Sequence, residues 1–130
     1  MKSCIKILSG EKGTSAVEFA IILPILVMLV FGIIQFGLVF NKYIAITHAA
    51  REGARLAAVG LDGDPDFFDK VQNSAPTVTI LTVAVDNPEG IKIGNPVEVT
   101  VTGESFSIKI PLVGEWSIPL TSTAAMRREQ

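Results

Sequence analysis

Polar side chains divide this chain sharply. From Phe19 to Phe40 there is no Asp, Glu, Lys, Arg or His, and Gln35 is the one strongly polar residue. At about 1.5 Å of rise per residue, a helix of that length covers about 33 Å, enough for a hydrocarbon core of about 30 Å. The pattern predicts a membrane-spanning helix. Pro24 lies inside it and removes the amide that would bond to the Ala20 carbonyl, so a kink or local melting is expected there. Ala16 and Ala20 form a small-xxx-small pair, while Gly32 and Gly37 are spaced by five and make a poor packing stripe.

Beyond Phe40 the apolar pattern changes but the helix signal persists. Ala45, Ala49, Ala50, Ala54, Ala57 and Ala58 favour a helix to about Val59, and Gly60 with Asp62-Gly63-Asp64-Pro65 supplies a stop. Tyr43, Ile46, Ala50 and Ala57 should share a face that docks on a sheet. Ile44, His48, Arg51 and Arg55 follow one another on a second face, where Glu52 can pair with His48 or Arg55. Leu61 to Pro76 reads as a loop around one short helix, with Asp64 as N-cap, Pro65 at the first helical position, and Phe67, Phe68 and Val71 turned inward.

From Thr77 the period becomes two. Thr77 to Val85, Val97 to Thr102 and Ser117 to Met126 read as strands, with turns at Asn87-Pro88-Glu89-Gly90 and Gly94-Asn95-Pro96. Val97, Val99 and Val101 alternate with Glu98, Thr100 and Thr102, as in a sheet with one wet face. Val78 and Ile80 are out of phase with Leu81, Val83 and Val85, which implies a bulge or a two-sided strand. Ser105 to Ile110 is a candidate extra strand, and Pro119 places the last strand at an edge. The fold class is therefore α+β: a long N-terminal transmembrane helix extending into a small antiparallel sheet. So small a sheet needs the Ala-rich helix in its core.

The flanks of the span carry the candidate chemistry. Lys2, Lys6 and Lys12 against Glu11 make the leader basic, which favours a cytoplasmic N-terminus and an outward C-terminal domain. Lys42, Arg51 and Arg55 on the far side blur that asymmetry. The apolar run is too long for an ordinary secretory signal, and no small-x-small site follows it at the membrane edge. The small residues that could be cut instead precede it, at Gly13 to Ala16. Cys4 also precedes the apolar run, contrary to a lipoprotein signal, and cutting at Gly13 would leave a chain without cysteine. A net charge of −2 with no basic stripe gives no reason to expect nucleic acid.

Gly13-Thr14-Ser15-Ala16-Val17-Glu18-Phe19 resembles the processing site of type IV pilins and pseudopilins. There a prepilin peptidase cuts after Gly and Glu is the fifth mature residue. More narrowly, Gly13 to about Val59, including Ala49-Ala50-Arg51-Glu52-Gly53-Ala54-Arg55, is similar to the TadE-like minor pseudopilins of the tight-adherence (Flp) pilus, with a looser likeness at Ile118 to Glu129. The resemblance implies cleavage between Gly13 and Thr14, an assembly role for Glu18 and Phe19 at the head of the helix, and subunit or assembly-platform contacts by Arg51, Glu52, Gly53 and Arg55. The implied partners are the membrane, a prepilin peptidase, other pilins or pseudopilins and Tad assembly-platform proteins. The implied location is a cell (inner) membrane, crossed once. The competing reading of Arg51, Glu52 and Arg55 is a solvated, salt-bridged helix face, and that of Glu18 is a flanking acid in the headgroup layer. Cleavage would place the new Thr14 ammonium one helical turn before Glu18, where the two could pair within a chain or between chains.

The implied organisation is a leader at 1–13, an N-terminal segment with the transmembrane helix at 14–40, a helix extension at 41–60 and an outward α+β domain at 61–130. Nothing in the sequence reads as an enzyme. There is no nucleophile elbow, phosphate loop or Cys-x-x-Cys, and His48 is the single histidine, so no cofactor is expected. Asp62, Asp64, Asp66 and Asp69 invite a cation. Counted from Asp62, though, the glycine position of a calcium loop holds Phe67 and the final glutamate position holds Asn73. A looser cation site stays open beside the simpler reading of a capped acidic loop. Two rival functions remain: an unprocessed single-pass anchor carrying an outward binding domain, and a tethered hydrolase with an unrecognised site.

Overall fold

The computed structural model describes residues 11–89, 92–110 and 114–129. The leader residues Lys2, Cys4 and Lys6, and the turn residue Gly90, lie outside the described residues. Two units are distinguished, one reaching to Ile34 and one from Gln35 onward. The element order is α1 (Glu11–Ala58), a 3-10 turn (Leu61–Gly63), α2 (Phe67–Asn73), β1 (Ile80–Asp86), β2 (Pro96–Ile110) and β3 (Gly114–Arg127).

Among its described residues the N-terminal unit is a single helix. α1 runs unbroken through Pro24. Proline removes one amide bond, and the neighbouring turns hold the helix without the expected local melting. Its apolar side chains are exposed all round, with Phe19 at 59% and Ile25 at 66%. The helix is long and apolar enough to cross a membrane, and none of its most apolar stretch is buried.

The second unit is an α+β layer. Its three strands form one antiparallel sheet in the order β1-β2-β3. Ile46, Ala49, Ala50, Ala54 and Ala57 of α1 are fully buried in one cluster with Val97, Val99, Val101 and Leu120 of the sheet, and with Phe67 and Val71 of α2. Alanine spacing of three and four therefore provides a helix face flat enough to lie on the sheet. Two glycines set how closely the layers approach. A Cβ on Gly53 would stand 2.9 Å from Val99 Cγ1, and one on Gly103 would stand 2.5 Å from Ile46 Cδ1. Tyr43 is not on this face. It is half exposed, because the stripe steps from Ile46 to Lys42, whose ammonium lies 5.0 Å over the Phe106 ring.

The helix stops at Gly60, whose φ of 80° is left-handed, and the amide of Gly60 donates to the Ala57 carbonyl at 3.0 Å. Asp64 acts one turn earlier than an N-cap of α2. Its Oδ1 accepts from the Asp66 amide at 3.0 Å and its carbonyl from the Phe67 amide at 3.0 Å, so Pro65 lies in a turn ahead of the helix. Phe67 and Val71 are buried as expected, but Phe68 is 40% exposed, being one residue off the inward face of so short a helix.

β1 begins three residues later than its β-branched run. Gln72 explains the delay: its Nε2 donates to the Val78 carbonyl at 2.9 Å and its Oε1 accepts from the Ile80 amide at 2.8 Å, holding residues 77–79 in a hook. The phase break of this run is a bulge, since Ile80 pairs with Gly103 and Thr82 with Thr102. Leu81 is the extra residue and is 57% exposed. The candidate extra strand at Ser105 to Ile110 is the far half of β2. A second register shift, between Gly103 and Phe106, re-phases it opposite Pro119 of the edge strand β3.

Candidate functional site

The first candidate site is the head of α1. Gly13 lies in the opening turn of the helix, and nothing comes within 4 Å of a Cβ added there. Thr14, Glu18 and Phe19 are all exposed, with Glu18 one turn after Thr14. Among the described residues Glu18 forms no ion pair. Cleavage after Gly13 would have to open one terminal helical turn. The first turn holds its orphan amides without intrahelical acceptors and frays at little cost.

The second site is a cleft on the C-terminal half of α1. His48, Arg51, Glu52 and Arg55 line it from the helix, Lys70, Asn73 and Ser74 from α2 and its end, and Met126 from β3, around about 400 Å³ of open volume. Arg55 donates from Nη2 to Glu52 Oε1 at 2.6 Å and from Nε to Glu52 Oε2 at 2.9 Å. This forked bond holds the Glu52 carboxyl below the ordinary carboxylate range, against a smaller opposing effect of burial, and lifts Arg55 above its usual value. His48 is not Glu52's partner. Arg51 is exposed and, among the described residues, has no carboxylate partner. Gly53, expected as a contact residue beside them, faces inward against Val99 and Val71 and works in the core.

Lys70 reaches back to Asp64 at 2.6 Å. The Lys70 hydrogen bond and the Asp66 amide lower the Asp64 carboxyl, and the same bond raises Lys70. The sign follows for each partner. Asp64 contributes to α2 above its ordinary range and loses that contribution as pH falls through its depressed value; Lys70 contributes below its ordinary range and loses it as pH rises through its elevated value. An NMR titration is expected to place the Asp64 carboxyl midpoint below that of a free aspartate, and Lys70→Ala to raise it. An unmoved midpoint in the variant would refute the pairing.

The acidic loop is tied to cations of the chain itself. Asp62 accepts from Arg128 Nη2 at 2.7 Å, and Asp64 holds Lys70. No group of three or more potential metal ligands comes together among the described residues. Arg128 was not legible in the sequence. It is 7% exposed, its backbone bonds to Gly94 and Asn95, and its neighbour Glu129 donates to the Ala58 carbonyl at 2.8 Å. It thus ties the end of the chain to the end of α1.

These features define an α+β protein whose N-terminal helix is long and apolar enough to span a membrane and whose small sheet packs on the C-terminal part of that helix. Residues 13–55 match the model of the family described as TadE-like protein. The match begins at Gly13, ends at Arg55 and agrees with the resemblance drawn from those motifs. The sheet lies outside the matched residues. No curated protein and no solved structure matches the chain.

Proposed function

We propose that this protein is a minor pseudopilin, trimmed by a prepilin peptidase between Gly13 and Thr14 and taking part in assembly of a Flp/Tad adhesion pilus. It works by association and performs no catalysis. The observation that carries this reading is the coincidence of three things at one place: Gly13-Thr14 and Glu18 at the head of α1, the exposed apolar helix they open, and the start of the TadE-like match.

The mechanism follows from the cost of that helix surface. Bulky apolar side chains exposed all round require lipid or other apolar helices. In the membrane, α1 crosses once, with its N-terminus cytoplasmic and the sheet on the far side. Cleavage frees the Thr14 amine one turn before Glu18. A carboxylate at the edge of hydrocarbon is costly unpaired, so Glu18 engages its own Thr14 ammonium or that of a neighbouring pilin. The helices then bundle while the sheet domains form the outer shell. Arg51, without a carboxylate partner among the described residues, and the Glu52–Arg55 pair face outward for contacts with other subunits or the assembly platform.

Glu18→Ala is the variant that tests assembly. Cells making it in place of the wild-type chain should insert the protein normally yet carry few or no pili by electron microscopy, with Glu18→Asp in between. Wild-type piliation with Glu18→Ala would remove the proposed role of the carboxylate.

A further inference from the structure

The β2–β3 hairpin is longer than the sheet to which it belongs. β1 accompanies β2 only from Glu98 to Gly103, whereas β2 and β3 stay paired out to Ile110 and Gly114. Beyond the bulge the hairpin is a two-stranded arm, and its cross-strand pairs sort by face. Phe106↔Ile118 and Ile108↔Trp116 alternate with Ser107↔Ser117. The register shift between Gly103 and Phe106 keeps Phe106 and Ile108 on the side of the sheet that faces α1, continuing Val97, Val99 and Val101. Trp116, on that same apolar face, is 76% exposed.

The direction of the arm is fixed by its contacts. At the far end of α1, Glu129 bonds to Ala58; Val99 lies against Gly53, Gly103 against Ile46, and Phe106 under Lys42. Travelling along β2 therefore means travelling back along α1, and four residues of β2 (Val99 to Gly103) pass seven of α1 (Gly53 to Ile46). At that pitch Ile108 and its partner Trp116 come level with Leu38 and Val39. Those residues belong to the last turn of the uncharged segment that ends at Phe40.

We propose that the apolar face of this arm is a lipid-binding surface. Trp116 and Ile108 rest in the headgroup–acyl boundary of the bilayer that α1 crosses, on the side of the sheet. The proposal rests on α1 spanning a membrane and not on cleavage or pilus assembly. Tryptophan suits that boundary because its ring is apolar and its N–H can still reach water or headgroups. The serine positions on the other face stay toward water, as for other amphipathic elements lying on a bilayer. Lys42 closes the pattern, with its stem along the arm and its ammonium at the level where the apolar segment has just ended.

Trp116 is the only tryptophan of the chain, so its fluorescence reports this one place. The full chain is reconstituted into phosphatidylcholine vesicles, recovered by flotation, and compared with vesicles containing lipid brominated high on the acyl chain. Emission shifted to the blue of free tryptophan is expected, with most intensity lost to brominated lipid, little lost to aqueous acrylamide, and no change as protein is diluted in lipid. Ile108→Ser should weaken the bromolipid quenching and leave flotation intact. Water-like emission quenched by acrylamide would overturn the proposal. So would blue emission indifferent to bromolipid, which would mean that a second protein copy covers the face. Failure to float with the vesicles would remove the spanning helix itself, a separate readout from Trp116 emission.

Discussion

Replacing Gly103 by valine is expected to lower the melting temperature of the full chain in detergent micelles by on the order of 15 °C, corresponding to roughly 3 kcal/mol lost from the sheet-bearing unit. The added Cβ would stand 2.5 Å from Ile46 Cδ1, 2.9 Å from Val78 Cγ1 and 3.3 Å from the Thr79 carbonyl oxygen. Ile46 could swing away, but it is fully buried, and Val78 is stiff at χ1 and held by the hook that Gln72 ties. The backbone carbonyl cannot yield without disturbing the Glu104 amide that donates to it at 3.0 Å. The two further methyls of valine then force the helix off the sheet. Gly37→Ala is the control, because nothing lies within 4 Å of its added carbon. Circular dichroism melts of the two variants should differ widely, and similar melts would contradict this packing of α1 on β2.

Removing Asp62 should cost more than removing the arginine it binds. Arg128 is 7% exposed and, among the described residues, its Nε is buried without a partner and its guanidinium has beyond Asp62 only a 3.4 Å contact to Asn87 Oδ1. Asp62→Ala therefore strands a buried cation, at a cost of about 3 kcal/mol. Arg128→Met keeps most of the aliphatic volume and leaves Asp62, whose side chain is 21% exposed, able to take up water, so the expected loss is about 1 kcal/mol. Urea unfolding of both variants measures the difference. Equal costs, or a greater loss for Arg128→Met, would show that the pair does not hold the end of the chain as described.

Legibility in the sequence followed the range of the interactions involved. The helix, its end at Gly60 and the alternation Val97-Val99-Val101 were readable because they depend on local periodicity and on one left-handed glycine. Even the phase break before Leu81 announced its bulge. The hook at residues 77–79 was not readable, because it depends on the Gln72 side chain substituting for a strand partner, and glutamine in a short helix carries no such signal. Spacing alone puts Tyr43 on the docking face, whereas the stripe drifts to Lys42 as the helix meets the hairpin arm. Of the candidate contact residues, Arg51, Glu52 and Arg55 share the cleft with Lys70. Gly53 differs because an absent side chain gives no hint of which neighbour needs the room. Arg128 and Asp62 are far apart in sequence and could be joined only by the fold.

The head of α1 stands apart from these matters of packing, since its proposed significance lies in a covalent event. Gly13 and Thr14 share an exposed turn at the start of an apolar helix, Glu18 is exposed on the next, and the family match opens at the same glycine. An uncut chain would remain a single-pass anchor with a leader, and its Glu18 would have no new ammonium to meet. The most direct measurement is the intact mass and N-terminal sequence of the protein from its native membrane, for the wild type and for Gly13→Leu. The expected result is a product beginning at Thr14 that disappears in the variant; a full-length wild-type chain in cells with an active prepilin peptidase would contradict the pseudopilin assignment.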